Sequence, residues 1–325
     1  MKKIWDGIIG LAIGDAIGVP VEFTSRQERV KDPVISMRAY GTHCQPRGTW
    51  SDDTSLTLAL MDSIIKKNEI DYVDIMNKFS DWILYSDYTA TGEVFDVGNA
   101  TSRAIMNYGR GVNPLECGGI CEYENGNGSL MRILPIAYYL QKHSDLTMES
   151  QMHIIHNISA LTHRHPISLI GCGIYIKIAM NLLEDKWSLY EAVEQGIRTA
   201  VEYYEKKVWN DVYVYLRLMD LSAFLKLPDN EIKSSGYVVH TLESVLWCLL
   251  NTSSYAECVL KAVNLGDDTD TVGAVVGGLA GIYYGLDKIP KDWLDVLARR
   301  QYIEELCEKF IWATKISVKL KFHTS

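Results

Sequence analysis

Two runs of glycine at helical spacing constrain this chain more than any other feature. Gly10, Gly14 and Gly18 recur at every fourth position near one end, and Gly273, Gly277 and Gly281 do the same near the other. Residues four apart share one face of a helix, and a glycine inside a helix costs about 1 kcal/mol relative to alanine. Six such positions require a packing gain. The gain that glycine permits is close approach of helix backbones at the centre of a bundle, which would also hold the helix tips rigidly.

The rest of the chain reads the same way. In "DYVDIMNKFSDWILYS" the residues Tyr72, Ile75, Met76, Phe79, Trp82 and Ile83 form one apolar stripe. Similar stripes cover about 129–142, 150–162, 167–183, 189–205, 239–250, 255–264 and 301–312. Ser188 with Glu191, and Ser254 with Glu257, have the spacing of a capping box. Sustained alternation of period two is scarce, so the expected fold class is all-α, a compact many-helix bundle. Connections at 24–50, 87–96, 109–128 and 226–236 are rich in Gly, Asn, Ser, Thr and charge, and long loops in a compact domain tend to carry function. None has the length or repetition of an interdomain linker, and residues 1–325 are expected to form one domain. The tail "ATKISVKLKFHTS" from 313 is basic and alternating, and its pattern leaves open a packed strand or a loose end.

Charge crowds at two places. "GDDTDTVGAVVGGLAG" sets Asp267, Asp268 and Asp270 directly before the second glycine stripe, and "WSDDTSLTLAL" sets Ser51, Asp52 and Asp53 before the apolar pattern of Leu56, Leu60 and Ile64. Both lie where helix N-caps belong, and a cap is worth about 1 kcal/mol. A cap needs only one acid. Two carboxylates about 4 Å apart at an effective dielectric near 20 repel by about 4 kcal/mol, more than cap and helix dipole return. Such clusters require full solvation on separate helices or divalent cations. The oxygens of Ser51, Asp52, Asp53, Asp268, Asp270 and Thr271 are hard ligands of the kind Mg²⁺ and Mn²⁺ accept. Glu22, just beyond Pro20 at the end of the first glycine helix, is either an acid or base beside them or an ordinary surface residue.

Composition excludes several classes. With 32 basic and 41 acidic residues the net charge is −9, which disfavours general attraction to nucleic acid or to anionic membrane. Seven cysteines, an odd number, fit free thiols in a reducing cytoplasm; Cys117 and Cys121 lack a second pair for zinc. Asp6 and Asp15 interrupt the apolar N-terminal stretch, a poor match to a signal peptide. The windows 272–286 and 169–183 fall short of the 18 or so residues that span a bilayer, and no membrane span is expected.

Six motifs together carry a resemblance. "GLAIGDAIGVPVEF", "WSDDTSLTLAL", "FDVGNAT", "NGSLMRILPIA", "GYVVHTLESVLWCLL" and "GDDTDTVGAVVGGLAG" occur in the order found in the ADP-ribosylglycohydrolase family, which includes dinitrogenase reductase-activating glycohydrolase and the ADP-ribosylarginine hydrolases. The resemblance implies an all-α orthogonal bundle with a binuclear Mg²⁺ or Mn²⁺ centre, and hydrolysis of the N-glycosidic bond joining ADP-ribose to a protein side chain, usually arginine. Its partners would be an ADP-ribosylated protein and the product ADP-ribose. The metal ligands it implies are Ser51, Asp52, Asp53, Asp268, Asp270 and Thr271, with Ser51 standing where the family often has Thr. Asp267 occupies a position that is often Gly and is not expected to be a ligand.

The resemblance also makes Glu22 and Asp96 the catalytic carboxylates. Gly98, Asn99, Thr101, Asn127, Gly128 and Ser129 would line the ADP-ribose groove, with His163 at its rim. Small residues with free backbone N–H groups suit a diphosphate on an acidic protein. The family also contains a lens crystallin, so a non-catalytic ADP-ribose binder or structural relative is the alternative. An isoprenoid-synthase reading of "DDTSL" fails on Leu56, which stands where the second acid of that motif's helix face would be.

Overall fold

The first glycine stripe lies on a helix buried nearly all round. The computed structural model describes residues 3–207 and 209–320, the side chains of 314–320 excepted. Its helices are α1 (Lys3–Gly18), α2 (Arg26–Lys31), α3 (Asp52–Lys67), α4 (Tyr72–Tyr85) and α5 (Asn99–Gly109). They continue with α6 (Pro135–Lys142), α7 (Met148–Ala160), α8 (Pro166–Leu183), α9 (Leu189–Lys206) and α10 (Leu221–Phe224). The last are α11 (Val238–Leu250), α12 (Tyr255–Val263), α13 (Thr269–Tyr284), α14 (Lys291–Val296) and α15 (Arg300–Leu320). Only isolated bridges, such as Gly126 with Tyr237, represent β-structure among the described residues. The chain is all-α.

The two glycine stripes meet each other. α1 and α13 run antiparallel: Gly10 faces Gly277 and Gly281, Gly14 faces Gly273, and Gly18 faces Asp270. A β-carbon on Gly10 would stand 2.5 Å from the Gly277 carbonyl oxygen, and those on Gly14 and Gly273 would each collide with the other's backbone. Backbone contact is thus the return on six helix-weakening residues. Both helices are buried nearly all round, because α3, α8, α11, α12 and α15 pack against one or both of them. One apolar cluster runs from Ile4 to Phe310.

Some expectations need correction. The segment Lys3–Val21 and helix Pro166–Leu183 are, by length and composition, apolar enough to cross a membrane, contrary to the reading of the sequence; they are 89% and 72% buried inside the protein. The helix expected from 129 begins only at Pro135, whose ring suits a first helical turn; residues 128–132 are turns. Ser188 and Glu191 form the full capping box. Ser254 caps α12, but Glu257 reaches back to the Ser253 N–H instead. The loop at 24–50 holds an unforeseen helix, α2, capped reciprocally by Ser25 and Glu28. The basic tail continues α15 to Leu320, and 321–325 lie outside the described residues.

Candidate active site

Antiparallel packing of α1 on α13 decides where the chemistry sits. The C-terminal tip of α1 meets the N-terminal tip of α13, so Glu22, four residues past α1, arrives beside Asp268 and Asp270. Two backbone hydrogen bonds tie the strands leaving these tips: the Phe23 N–H donates to the Asp267 carbonyl at 2.7 Å, and the Asp267 N–H to that of Thr24 at 2.8 Å. Asp267 itself is exposed and has φ of +60°, in the left-handed region. Glycine, Asn and Asp tolerate that conformation best, which accounts for an acid at 267 without giving it a ligand role.

α3 is brought in by Asp15, a residue the sequence reading passed over. The Asp15 carboxylate is fully buried and accepts from the Ser51 N–H at 2.9 Å, the Thr54 N–H at 3.1 Å and the Thr54 hydroxyl at 2.6 Å. An acid on α1 thereby satisfies the free donors at the N-terminus of α3. The signal was present as a second acid, after Asp6, set between Gly14 and Ala16 in a mostly apolar helix.

The two expected clusters converge. Asp53 Oδ2 accepts from the Ser51 hydroxyl at 3.1 Å and the Thr271 hydroxyl at 3.4 Å. Carboxylate oxygens of Asp15, Asp53 and Asp270 lie within 4.8 Å of one another, as do those of Glu22, Asp268 and Asp270. Asp53 Oδ1 and Asp270 Oδ2 are buried with no hydrogen-bond partner. Burial raises the pKa of Asp52, Asp53, Asp268 and Asp270, and like charges raise it further. Asp15 is pushed to about 7 and Glu22 to about 8, chiefly by burial. Among the described residues none of these acids pairs with a lysine or arginine; the basic side chain beside them is His43, hydrogen-bonded through Nε2 to Glu22 Oε2 and 4.0 Å from Asp96. Orphaned buried carboxylate oxygens, hard donors and excess negative charge fit divalent cations.

Above the acids opens a groove of about 380 Å³. Glu22, Asp52, Asp268 and Thr271 line one part of it, and Asp96, Gly98, Asn99, Thr101, Asn127, Gly128 and His163 another. Asn127 braces the junction by donating to Asp268 Oδ2 at 2.8 Å and Thr241 Oγ1 at 2.9 Å. Ser51, Asp53 and Asp270 are buried beneath. Ser129 does not line the groove: its side chain turns into the core, where its hydroxyl lies 2.7 Å from that of Ser159 and 3.5 Å from Cys172 Sγ. His163 forms part of the wall, 3% exposed.

The reading of the sequence missed His43, which lies in the 24–50 connection with no motif to announce it, and Phe23, 68% exposed at the groove's edge. Phe23 and Phe95 flank the His43 ring at centroid distances of 6.0 and 5.2 Å. Groove lining by Gly126, Met131 and Gly236 was likewise unforeseen.

Residues 1–318 match the family model for ADP-ribosylglycohydrolase. The chain belongs to the ADP-ribosylglycohydrolase family. It is similar to the ADP-ribosylarginine hydrolase Tri1 of Serratia proteamaculans, 30% identical over 313 residues that cover 96% of this chain and 80% of that protein. It is also similar to the ADP-ribosyl-[dinitrogen reductase] glycohydrolase of Rhodospirillum rubrum, 30% identical over 298 residues, 89% and 88% of the two chains. A solved ADP-ribosylglycohydrolase-related protein complex superimposes with a TM-score of 0.76 at 28% identity, covering 96% of this chain and 98% of that one. Membership makes this protein a hydrolase of the glycosidase type with ADP-ribosyl glycohydrolase activity.

Proposed function

We propose that this protein is a metal-dependent hydrolase that releases ADP-ribose from a modified protein side chain, most readily N-linked arginine. The observation that carries the metal dependence is the pair of buried, partnerless carboxylate oxygens on Asp53 and Asp270. Ser51, Asp52, Asp53, Asp268, Asp270 and Thr271 would hold two Mg²⁺ or Mn²⁺ ions. When bound, those ions would neutralise the acids and act as Lewis acids toward oxygen ligands. The preference for arginine is supported by the similarity to the ADP-ribosylarginine hydrolases Tri1.

The protein's own residues account for the rest of the reaction. Water adds its oxygen to the ribosyl carbon, the C–N bond breaks with its electron pair going to the side-chain nitrogen, and that nitrogen takes up a proton. Positive charge develops on the ribose ring as the bond breaks, and carboxylates surround that position on one side of the groove. Glu22 and Asp96 share the proton transfers, and His43 between them orients Glu22. Gly98, Asn99, Thr101, Asn127 and Gly128 cradle the nucleotide. Residues 1–325 are taken as one domain, supported by the continuous core, and free thiols support a reducing, cytoplasmic setting.

The test is release of free ADP-ribose from substrates linked through arginine, serine and other acceptors, with and without Mg²⁺ or Mn²⁺. Undiminished hydrolysis by Asp268→Ala would sink the metal assignment, and faster turnover of a serine-linked substrate would sink the arginine preference.

A further inference from the structure

Arg132 lies in "NGSLMRILPIA", beneath the groove and outside its lining. Its side chain is fully buried without a carboxylate partner, and its Nε and Nη1 have no hydrogen-bond partners among the described residues. The Phe79 ring lies against the guanidinium, 4.6 Å from its centre. Nη2 alone is engaged, donating to Thr162 Oγ1 at 2.7 Å and to the Ile158 carbonyl at 3.2 Å. Thr162 Oγ1 stands in turn 2.9 Å from Nδ1 of His163. On the far side of that ring, Nε2 has no protein partner among the described residues and lies beside Gly126 and Gly128 in the groove wall.

We propose that Arg132 and Thr162 are positioning residues that fix the tautomer of His163, so that Nε2 carries the ring hydrogen and offers it to an acceptor oxygen of the ADP-ribosyl group. A guanidinium has only donors, so Thr162 Oγ1 must accept from it. The threonine hydroxyl then has one hydrogen to place, and His163 Nδ1 is the acceptor within reach. In the opposite tautomer Nδ1–H would point at Oγ1, and the hydroxyl hydrogen of Thr162, itself fully buried, would lose its acceptor. Burial and the charge of Arg132 lower the His163 pKa to about 3, so the ring is neutral near pH 7 and holds one hydrogen.

Two further features fit a fixed donor. The Ser159 hydroxyl donates to the His163 carbonyl at 3.0 Å, and the His163 N–H to the Ser159 carbonyl at 2.8 Å, which clamps the backbone. A β-carbon at Gly128 would stand 2.7 Å from His163 Cε1, so only glycine leaves that ring edge open. A neutral donor also suits this groove, since a lysine here would be captured by the neighbouring carboxylates and lost to the ligand.

The proposal rests on the reading that the groove holds ADP-ribose, and the experiment separates the two. Long-range ¹H–¹⁵N correlation spectra of the histidine rings in the ligand-free, full-length protein at pH 7, assigned with His163→Gln, should show His163 protonated at Nε2 only. Thr162→Val should give a mixture of tautomers and weaken ADP-ribose binding on the order of 10-fold, and Thr162→Ser should restore both. A wild-type Nδ1–H tautomer, or spectra and affinity unmoved by Thr162→Val, would overturn the relay. The expected tautomer in a wild-type protein that does not bind ADP-ribose would overturn the reading of the groove instead.

Discussion

The two ends of the α1–α13 pair are packed by the same device and do different things. At the far end the polar groups are matched: Lys3 pairs with Asp185 at 2.6 Å and donates to the Leu182 carbonyl, the Tyr138 hydroxyl donates to the Lys3 carbonyl, and Asp6 accepts from the Leu286 N–H. At the near end Asp15, Asp52, Asp53, Asp268 and Asp270 gather without a lysine or arginine partner among the described residues. Close backbone packing is therefore not the mark of the site. What distinguishes it is charge left unbalanced by the protein, held rigid by a helix pair that cannot yield.

The sharpest way to break this comparison is to treat both ends alike. Asp53→Asn and Asp270→Asn should each lower kcat/KM by at least about 100-fold while leaving the metal-free melting temperature unchanged or raised, because each removes repulsion. Asp6→Asn at the far end should leave kcat/KM intact and cost about 1 kcal/mol of stability in denaturant titrations, through a weakened bond to Leu286. Equal effects at both ends would erase the distinction.

A second expectation concerns pH and metal together. The carboxyls of Asp15 and Glu22 titrate near 7 and 8 when folded and near 4 when unfolded. Above about pH 6.5, where the buried histidines His156 and His163 are neutral folded or unfolded, the folded state holds more protons on these two carboxyls, so the stability they contribute is lost as pH rises through 7 to 8. Melting curves in chelator should fall across that range. Saturating Mg²⁺ or Mn²⁺ should reverse the trend, since divalent ions bind the ionised acids and stabilise the folded state. Parallel curves with and without metal would refute it.

The smallest expected effect compares two serine caps. Ser188→Ala should cost about 1 kcal/mol with kcat/KM unchanged, because its box with Glu191 caps a helix and nothing more. Ser51→Ala loses a similar cap, on the Asp53 N–H, but should also lower kcat/KM at subsaturating metal. A steady-state metal titration of both variants checks the difference.

Much of this was legible because it was periodic or crowded. The glycine stripes at 10, 14, 18 and 273, 277, 281 announced close helices, and the doubled acids at 52–53 and 268–270 exceeded what capping explains. Periodicity could not reveal that the stripes pair with each other in antiparallel register, which is what carries Glu22 to Asp268. Asp15 was visible only as an interruption, since its partners lie 36 to 39 residues away on α3. His43 sits in an irregular loop, where position is set by tertiary contacts that no local pattern encodes. Ser129 misled for the opposite reason: it adjoins Asn127 and Gly128, but the turn aims its hydroxyl inward to Ser159.

The join between α1 and α13 also has a consequence in time. A ribosome adding roughly 5–20 residues per second finishes α1 about 13 to 50 seconds before it finishes α13, 266 residues later. Until then the apolar helix from Lys3 to Gly18 lacks the partner for which its glycine face is cut, and the acids at the two helix tips cannot assemble. The site is thus withheld from every product of translation that ends before α13, and the nascent N-terminal helix needs shelter while the chain is being made.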